Sequence, residues 1–347
     1  MKKLVLIGTS VVHTFKYLDL IQDYFDDILI ITDKPKDGIK YRQEAFNFSL
    51  RNPLKIISRI NHLSNLINEF NPSVVHVHQA NSCAFYTIKA CKNKYPILVT
   101  TWGSDILLTP KKGILYKEML KYILRNVKYF TSDSSNMADV MLQYSTPSRP
   151  EILIANFGID IEDKDLAKEK IVYSNRQLTP LYRIDKIITL FEKFYTSNTD
   201  GHNWKLIIAA TGSEEKTLRE LVSALSCKNN VEFVGWVNKE ENSVLYFKSS
   251  IYVSIPESDA TSISLLEAMA AGCFPIVSDL PANKEWIKHC ENGYIATDLS
   301  QDVISESIQL LSEEVIQKNM NIIALHGTKK ANRDKFISLY KKILNEI

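Results

Sequence analysis

Short apolar runs of strand length alternate with helical stretches along this chain of 347 residues, from one end to the other. Such alternation is typical of β-α-β units, which build parallel sheets. The runs are nearly continuous in apolar residues, as expected of strands covered on both faces. The candidate strands are residues 4–7, 28–32, 74–77, 97–101, 129–132 and 152–155, and then residues 171–173, 206–210, 231–234, 252–255, 275–278 and 294–297.

The series of strands falls into two halves, separated by a polar and charged segment at residues 157–170. This pattern predicts two doubly wound, Rossmann-like α/β domains, residues 1–156 and 171–325, joined by that linker. A last helical stretch, residues 326–347, follows the second domain. Ligands of doubly wound sheets bind beyond the carboxyl ends of the strands, so we expect the two domains to face a central cleft.

Composition excludes several classes of protein. The net charge is +2, with 24% charged residues, which gives no overall electrostatic case for nucleic acid. The apolar run at the N-terminus is too short for a signal peptide, and no run is long enough to span a membrane. Five scattered cysteines without a C-x-x-C pair fit reduced thiols. We therefore expect a cytoplasmic protein, soluble or peripheral on the inner face of the cell membrane.

The most informative stretch is I-P-E-S-D-A-T-S-I-S-L-L-E-A-M-A-A-G, residues 255–272, which predicts a strand end, a polar loop and a buried helix. Glu267 is the one carboxylate in that helix, and an uncompensated buried charge costs several kcal/mol. One interpretation is a capping box with Ser264 as N-cap. The other starts the helix near Ser262, so that Glu267 binds ligand hydroxyls and the N–H groups of the helix start face an anion.

This stretch resembles the retaining glycosyltransferases of family 4, which have the GT-B fold, in its order of an acidic residue, seven residues and Glu, followed by A-M-A-A-G. The resemblance implies that Glu267 holds the ribose hydroxyls of a nucleotide, that Asp259 faces the donor sugar, and that N–H groups around Ser262, Ile263 and Ser264 hold the diphosphate. Two departures are Asp259 in place of the usual Glu, and A-T-S in place of the usual Gly-Phe-Gly. In this fold the last helix crosses back onto the first domain.

The resemblance extends to other strand ends. Arg176, after the first strand of the second domain, matches an arginine that binds the diphosphate, and its planar fork suits phosphate oxygens. Arg183 is the candidate for a second charge there. Trp236 either covers the nucleobase or belongs to the core. Further candidate donor contacts are Gly8, Thr211 and Gly212.

In the first domain, the candidates for the sugar and acceptor cleft follow three strands. They include His13, His78 and Gly103, and also Trp102, which stands where many family members have a sugar-contacting His. Tryptophan cannot do acid-base work. Asp105 is the candidate carboxylate on the acceptor side, or else an N-cap for the following helix. The His-x-His pair lacks acidic or Cys ligands nearby, so we expect no metal.

Two helical stretches carry basic residues at intervals of four, each opposite apolar positions. Such a face is either simply solvated or contacts anionic lipid, as a lipid-linked acceptor would require. The residues are Arg51, Lys55 and Arg59 in the first stretch, and Lys117, Lys121 and Arg125 in the second.

The predicted function is therefore that of a retaining glycosyltransferase. It would move a sugar from a nucleotide diphosphate donor, expected to be a UDP-sugar, to a glycan or lipid-linked glycan in surface polysaccharide or glycoconjugate synthesis, without a metal or another cofactor. Two alternatives stay open. One is a sugar-nucleotide epimerase of the same fold, and the other is a catalytically silent partner subunit of a glycosyltransferase, suggested by Asp259 and Trp102.

Overall fold

The computed structural model describes residues 1–346 and divides into two compact units. The first unit contains residues 1–158 together with the C-terminal residues from 329 onward, and the second contains Ile159–Thr328. The first boundary lies two residues beyond the expected end of the first domain. Most of the expected linker, residues 159–170, belongs to the second unit, and the last helix belongs to the first.

The first unit has a parallel sheet of seven strands in the order β3-β2-β1-β4-β5-β6-β7. Within residues 1–346, seven α-helices belong to this unit. The strands are β1 (Lys3–Ile7), β2 (Asp27–Thr32), β3 (Arg42–Ala45), β4 (Val74–His78), β5 (Ile97–Thr100), β6 (Tyr129–Ser132) and β7 (Glu151–Ile154). The helices are α1 (Val12–Ile21), α2 (Ile56–Phe70), α3 (Ser82–Cys91), α4 (Ser104–Leu107), α5 (Ile114–Asn126), α6 (Ser135–Ser145) and the C-terminal helix, α14 (Lys329–Ile343).

The second unit has a parallel sheet of six strands in the order β10-β9-β8-β11-β12-β13. Its strands are β8 (Glu169–Ser174), β9 (Lys205–Ile208), β10 (Val231–Phe233), β11 (Ser249–Ser254), β12 (Phe274–Ser278) and β13 (Tyr294–Ala296). Its helices are α7 (Ile184–Ser197), α8 (Glu215–Ser223), α9 (Lys239–Lys248), α10 (Ile263–Ala270), α11 (Pro281–Lys284), α12 (Val303–Leu310) and α13 (Glu313–Ile322).

Both faces of the second sheet are covered, as the apolar runs predicted. Val172 belongs to a core cluster with Phe191 and Phe194, whereas its neighbour Tyr173 belongs to a cluster with Met269. Successive residues of a strand point to opposite faces, so the two clusters lie on the two sides of the sheet. The doubly wound arrangement predicted for this half of the chain is confirmed.

The last helix packs against α1 of the first unit. The ring of Phe336 lies 5.3 Å from that of Tyr17, and the Tyr340 hydroxyl lies 2.5 Å from Nδ1 of His76. Both α14 side chains are fully buried. Among the helices of residues 1–346, none combines the length and the hydropathy that crossing a membrane requires.

Candidate functional site

Helix α10 begins directly after the polar loop that follows β11, and its N-cap residue is Ser262. Ser264 lies inside the helix, so the capping box with Ser264 as N-cap is wrong. Ile263, Ser264 and Glu267 are half-buried, while the other residues of α10 are buried. Because positions three and four apart share a helix face, these three residues form the open face of α10. The unbonded first N–H groups of the helix lie at the same end.

Arg176 lies just beyond β8 and reaches the loop that precedes α10. Its guanidinium donates to Oδ2 of Asp259, at 2.7 Å, and to the hydroxyl of Ser262. The same group lies 4.4 Å from the ring centre of Tyr182. Burial lowers the pKa of Arg176, but the Asp259 carboxylate and, to a lesser degree, Tyr252 and Tyr182 together more than offset this effect, so the pKa is raised overall. The side chain is a permanent, nearly buried cation next to the start of α10.

Asp259 has both carboxylate oxygens engaged within the loop. Oδ2 accepts from Arg176, and Oδ1 accepts from the backbone N–H of Ala260, at 3.0 Å. Burial raises the pKa of Asp259, although the charge of Arg176 opposes the shift. The structure thus gives Asp259 a partner that the sequence did not suggest, and its contact with a donor sugar stays a prediction.

Buried tyrosine hydroxyls and half-buried asparagine amides form a hydrogen-bond network next to α10. The Tyr173 hydroxyl donates to Oδ1 of Asn242 at 2.6 Å, the Asn175 amide donates to the Tyr246 hydroxyl at 2.7 Å, and the Tyr252 hydroxyl donates to Oδ1 of Asn175 at 3.1 Å. Burial raises the pKa of Tyr252 to about 12. These side chains come from β8, β11 and α9 and from the residue just after β8.

The negative charge of Glu267 affects the pKa values of two tyrosines in this network. Burial raises the pKa values of Tyr173 and Tyr246, and the Glu267 carboxylate adds to both shifts. The phenols of Tyr173 and Tyr246 are therefore neutral and lie within electrostatic range of the carboxylate. No sequence motif marks this network, because its members are dispersed over some 80 residues and only the folded chain brings them together.

Thr211 and Gly212 form the turn after β9 and pack against the segment that carries Arg176. The backbone N–H of Leu178 donates to the carbonyl of Thr211 at 3.2 Å. A Cβ atom on Gly212 would lie 2.3 Å from the carbonyl oxygen of Leu178, so only glycine fits. A surface cavity of about 690 Å³ begins at Gly212 and continues along α8.

Two further donor-side candidates lie at the surface of the second unit. Trp236 is 74% exposed in the loop after β10, which excludes the interpretation as a core tryptophan. Arg183 is half-exposed at the start of α7, in a left-handed backbone conformation with φ 53°. It follows Tyr182, the ring that stacks on Arg176. This backbone segment contacts the loop before α10, because the N–H of Glu257 donates to the carbonyl of Leu181 at 2.9 Å.

In the first unit, the sequence-predicted histidines and tryptophan form one aromatic cluster beyond β1, β4 and β5. The ring of Trp102 lies 5.2 Å from that of His13 and 5.6 Å from that of His78. A Cβ on Gly8 would lie 3.1 Å from Cβ of His78, which places the first loop against the same cluster. Burial, and to a lesser degree Lys16, lowers the pKa of His13.

His78 is fully buried, and neither of its ring nitrogens has a hydrogen-bond partner; the indole N–H of Trp102 is also buried without one. Burial lowers the pKa of His78 well below its usual value, so the ring is neutral. His76 instead uses both nitrogens, with Thr100 at 2.7 Å and with Tyr340. The two histidines therefore differ in their contacts, and the absence of a metal stays a prediction. Within residues 1–346, no group of three or more His, Cys, Asp and Glu is placed to hold a metal ion.

Asp105 is buried and holds the loops around it. Its Oδ2 accepts from the N–H of Ala80 at 2.8 Å, and its Oδ1 accepts from the N–H of Trp102 at 3.0 Å. Burial raises its pKa, although these N–H groups oppose the shift. The N-cap of α4 is Gly103, with φ 96°, so the N-cap interpretation of Asp105 is wrong. Its oxygens fix the Trp102 loop, and an acceptor-side catalytic role stays a prediction.

A cavity of about 550 Å³ lies at the carboxyl edge of β1, β2 and β3. The sequence alone did not predict it. The N–H of Ser10 donates to Oδ1 of Asp33 at 2.6 Å, which ties the first loop to its rim. The cavity could not be predicted because its edge includes β3, whose sequence R-Q-E-A has no apolar run that would mark a strand. The lining residues are Thr9, Asp33, Lys34, Ala45, Phe46, Asn47, Phe48 and Ser49.

The two basic stretches of the first unit are partly engaged. Arg59 donates to the carbonyl of Ser49, Lys121 pairs with Glu118 at 2.6 Å, and Arg125 donates to the carbonyl of Thr146. Three of the six side chains therefore contact other groups of the protein, and one of them, Lys121, has its charge paired.

Comparison with known proteins places both halves of the chain. Residues 159–324 match the family model of "Glycosyl transferases group 1", and residues 3–134 match that of "Glycosyl transferase 4-like". The N-acetyl-alpha-D-glucosaminyl L-malate synthase of Bacillus anthracis is 24% identical over 296 residues, which cover 80% of this chain and 75% of that protein. The GDP-mannose:cellobiosyl-diphosphopolyprenol alpha-mannosyltransferase of Xanthomonas campestris is 21% identical and spans 69% of this chain and 64% of that protein.

Solved structures match over the full length. Anabaena HepE in complex with UDP and glucose gives a TM-score of 0.80 at 13% identity, covering 99% of this chain and 100% of that one. The lipopolysaccharide outer core galactosyltransferase WaaB gives a TM-score of 0.74 at 17% identity, covering 99% of this chain and 100% of that one. At these identities the likeness establishes the fold alone. The chain is therefore built from a glycosyltransferase 4-like domain and a glycosyltransferase group 1 domain, and is a GT-B glycosyltransferase of the family 4 type.

Proposed function

We propose that the protein transfers a sugar, with retention of configuration, from a UDP-sugar to a hydroxyl of a glycan or lipid-linked glycan. One observation carries the donor half of this proposal: Glu267 lies on the open face of α10, and Arg176 lies at the start of the same helix. Two relatives support the substrate classes. HepE was solved with UDP-glucose, and the Xanthomonas enzyme is named for a diphosphopolyprenol acceptor.

In the proposed donor complex, the Glu267 carboxylate accepts hydrogen bonds from the ribose hydroxyls. The Arg176 fork and the N–H groups at the start of α10 hold the diphosphate, with Arg183 as a second cation. Preorganised positive charge of this kind stabilises the negative charge that develops on a leaving phosphate. We propose that the reaction needs no metal, because these groups already supply the charge.

In the proposed transfer step, the bond from the sugar's anomeric carbon to the diphosphate oxygen breaks as the bond to the acceptor oxygen forms on the same face. The departing phosphate oxygen takes the acceptor's proton, so no side-chain base is required. The neutral rings of His13, His78 and Trp102 are the proposed sugar and acceptor contacts. His78 and Trp102 have buried polar atoms without hydrogen-bond partners, and sugar hydroxyls would satisfy these atoms once the groups that cover them move aside.

The test is a calorimetric titration with UDP. The wild type should bind, and Glu267→Gln should bind more weakly by roughly 1.5 to 3 kcal/mol, because a charge-assisted hydrogen bond is lost. Glu314→Gln, at an exposed position of α13, is the matched control and should bind as the wild type does.

Three outcomes would contradict the proposal. No heat with the wild type would favour a silent partner subunit. Unchanged affinity of a folded Glu267→Gln variant would remove Glu267 from the ribose site. Interconversion of two UDP-sugars without an acceptor would favour the epimerase.

A further inference from the structure

Four large apolar side chains project into solvent at the beginnings of two helices of the first unit. Leu54 and Ile57, around the start of α2, are 92% and 72% exposed, and Ile114 and Leu115, at the start of α5, are 67% and 82% exposed. A single exposed aliphatic side chain is ordinary, but four of them at two neighbouring helix starts are typical of a contact surface.

The two helix starts lie at the same end of the unit. Helix α2 leads from the end of β3 to the beginning of β4, and α5 leads from the end of β5 to the beginning of β6. In a parallel sheet, both helices therefore begin at the carboxyl edge. Both also pack against α3. We call this set of residues, 51–57 and 111–117, the basic-apolar end.

The charge of the basic-apolar end is of one sign. Residues 50–60 and 108–117 contain no Asp or Glu. Lys55 is exposed beside Leu54, and Lys111 and Lys112 are exposed just before Ile114. Further cations at this end are Arg51, Arg59 and Lys117.

We infer that the basic-apolar end docks on a membrane surface that carries anionic headgroups. Aliphatic side chains at helix starts insert into the boundary between headgroups and acyl chains, while the lysines meet the negative surface potential. A second copy of the chain is a poorer partner, because a two-fold contact would place the same cations against one another. The opposite charge that this surface needs is supplied by acidic lipid.

This inference extends the proposed function, since it rests on a lipid-linked acceptor for its purpose. The cavity formed by Phe46, Phe48 and Ser49 lies at the same carboxyl edge, and Arg59 of α2 binds the carbonyl of Ser49. Docking by the basic-apolar end would bring a membrane-borne acceptor to that edge of the sheet. The docking itself is measurable without any transfer reaction.

The experiment is co-sedimentation with vesicles of phosphatidylcholine alone or mixed with phosphatidylglycerol. The wild type should bind the mixed vesicles, bind less as salt is raised, and leave the neutral vesicles largely unbound. The double variant Leu54→Ser/Leu115→Ser should bind at least about tenfold more weakly, about 1.4 kcal/mol. Lys111→Gln/Lys112→Gln should lose affinity and part of the salt dependence.

Matched controls come from the second unit. Leu325 is 68% exposed, and Lys228 is also exposed, so Leu325→Ser and Lys228→Gln should sediment as the wild type does. UDP affinity in solution should be equal for all these variants. Normal UDP binding without vesicle binding overturns the docking alone, whereas vesicle binding without UDP binding overturns the proposed function alone.

Two other results would also overturn the inference. One is equal vesicle binding by the wild type and the Leu54→Ser/Leu115→Ser variant. The other is self-association of the wild type that this variant abolishes, which would assign the surface to a second copy of the chain.

Discussion

At the scale of single residues, the ion pair between Arg176 and Asp259 changes what Asp259 is expected to do. Arg176 is the proposed diphosphate ligand, yet its fork already holds the Asp259 carboxylate at 2.7 Å. A diphosphate that approaches Arg176 therefore competes with an anion of the protein itself. Asp259 then acts as a counter-ion for Arg176, in place of or in addition to a contact with the sugar.

Replacing Asp259 by Asn should tighten UDP binding, because the competing negative charge is gone. We expect a gain of about tenfold, about 1.4 kcal/mol. The same variant should be less stable without UDP, because Arg176 loses the partner of its nearly buried charge. Calorimetry with UDP and thermal unfolding with and without UDP measure the two effects.

The pH dependence has a definite sign. The pKa of Asp259 is raised from its usual value, so lowering the pH neutralises this carboxylate earlier than an ordinary Asp. Wild-type affinity for UDP should approach that of Asp259→Asn as the pH falls, and the two should differ most near neutral pH. If Asp259→Asn leaves UDP affinity unchanged but slows transfer, then Asp259 contacts the sugar and is not a competitor.

At the scale of elements, the sequence predicted most of the sheet framework and missed one strand. Within residues 1–346, twelve of the thirteen strands coincide with apolar runs, and most of these twelve are buried on both faces, which requires apolar side chains. β3 pairs with β2 alone, at the edge of the sheet, so its R-Q-E-A side chains can be polar. An edge strand is held by backbone hydrogen bonds that no side-chain pattern reveals.

The same limit applies to the candidate site. Glu267 and Arg176 were found because a motif and a strand end mark them. The sequence did not reveal Tyr182, Asn175 and Asn242, since their roles depend on contacts between distant segments. Asp105 was placed at the correct strand end, but its engagement by backbone N–H groups follows only from the folded loops.

The turn after β9 provides a prediction at this scale. Gly212→Ala would place a methyl group against the backbone of Leu178, so the turn or the Arg176 segment must move. We expect a lower melting temperature and weaker UDP binding. Gly113→Ala is the control, since its Cβ would meet nothing within 4 Å. A Gly212→Ala variant that melts and binds UDP like the wild type would show that this packing does not position Arg176.

At the scale of the whole molecule, the cations that matter for the proposals lie in two local groups, one in each unit. The net charge of +2 is small. The cations that the proposals use are local: Arg176 and Arg183 near the loop before α10, and the lysines of the basic-apolar end in the first unit. Local placement matters more than net charge here, because exposed charges are screened within about 10 Å at 0.1 M salt.

Donor binding and turnover should therefore withstand chelation of divalent metals. A diphosphate needs positive charge, and Arg176, Arg183 and the start of α10 supply it from the protein. Transfer from a UDP-sugar, measured with and without EDTA, should proceed at the same rate. If EDTA abolishes turnover, and magnesium or manganese restores it, a metal holds the diphosphate.

Arg176→Ala should weaken the binding of UDP far more than the binding of uridine, because only UDP carries the phosphates that the fork binds. Equal losses of UDP and uridine affinity in Arg176→Ala would remove Arg176 from the phosphate site.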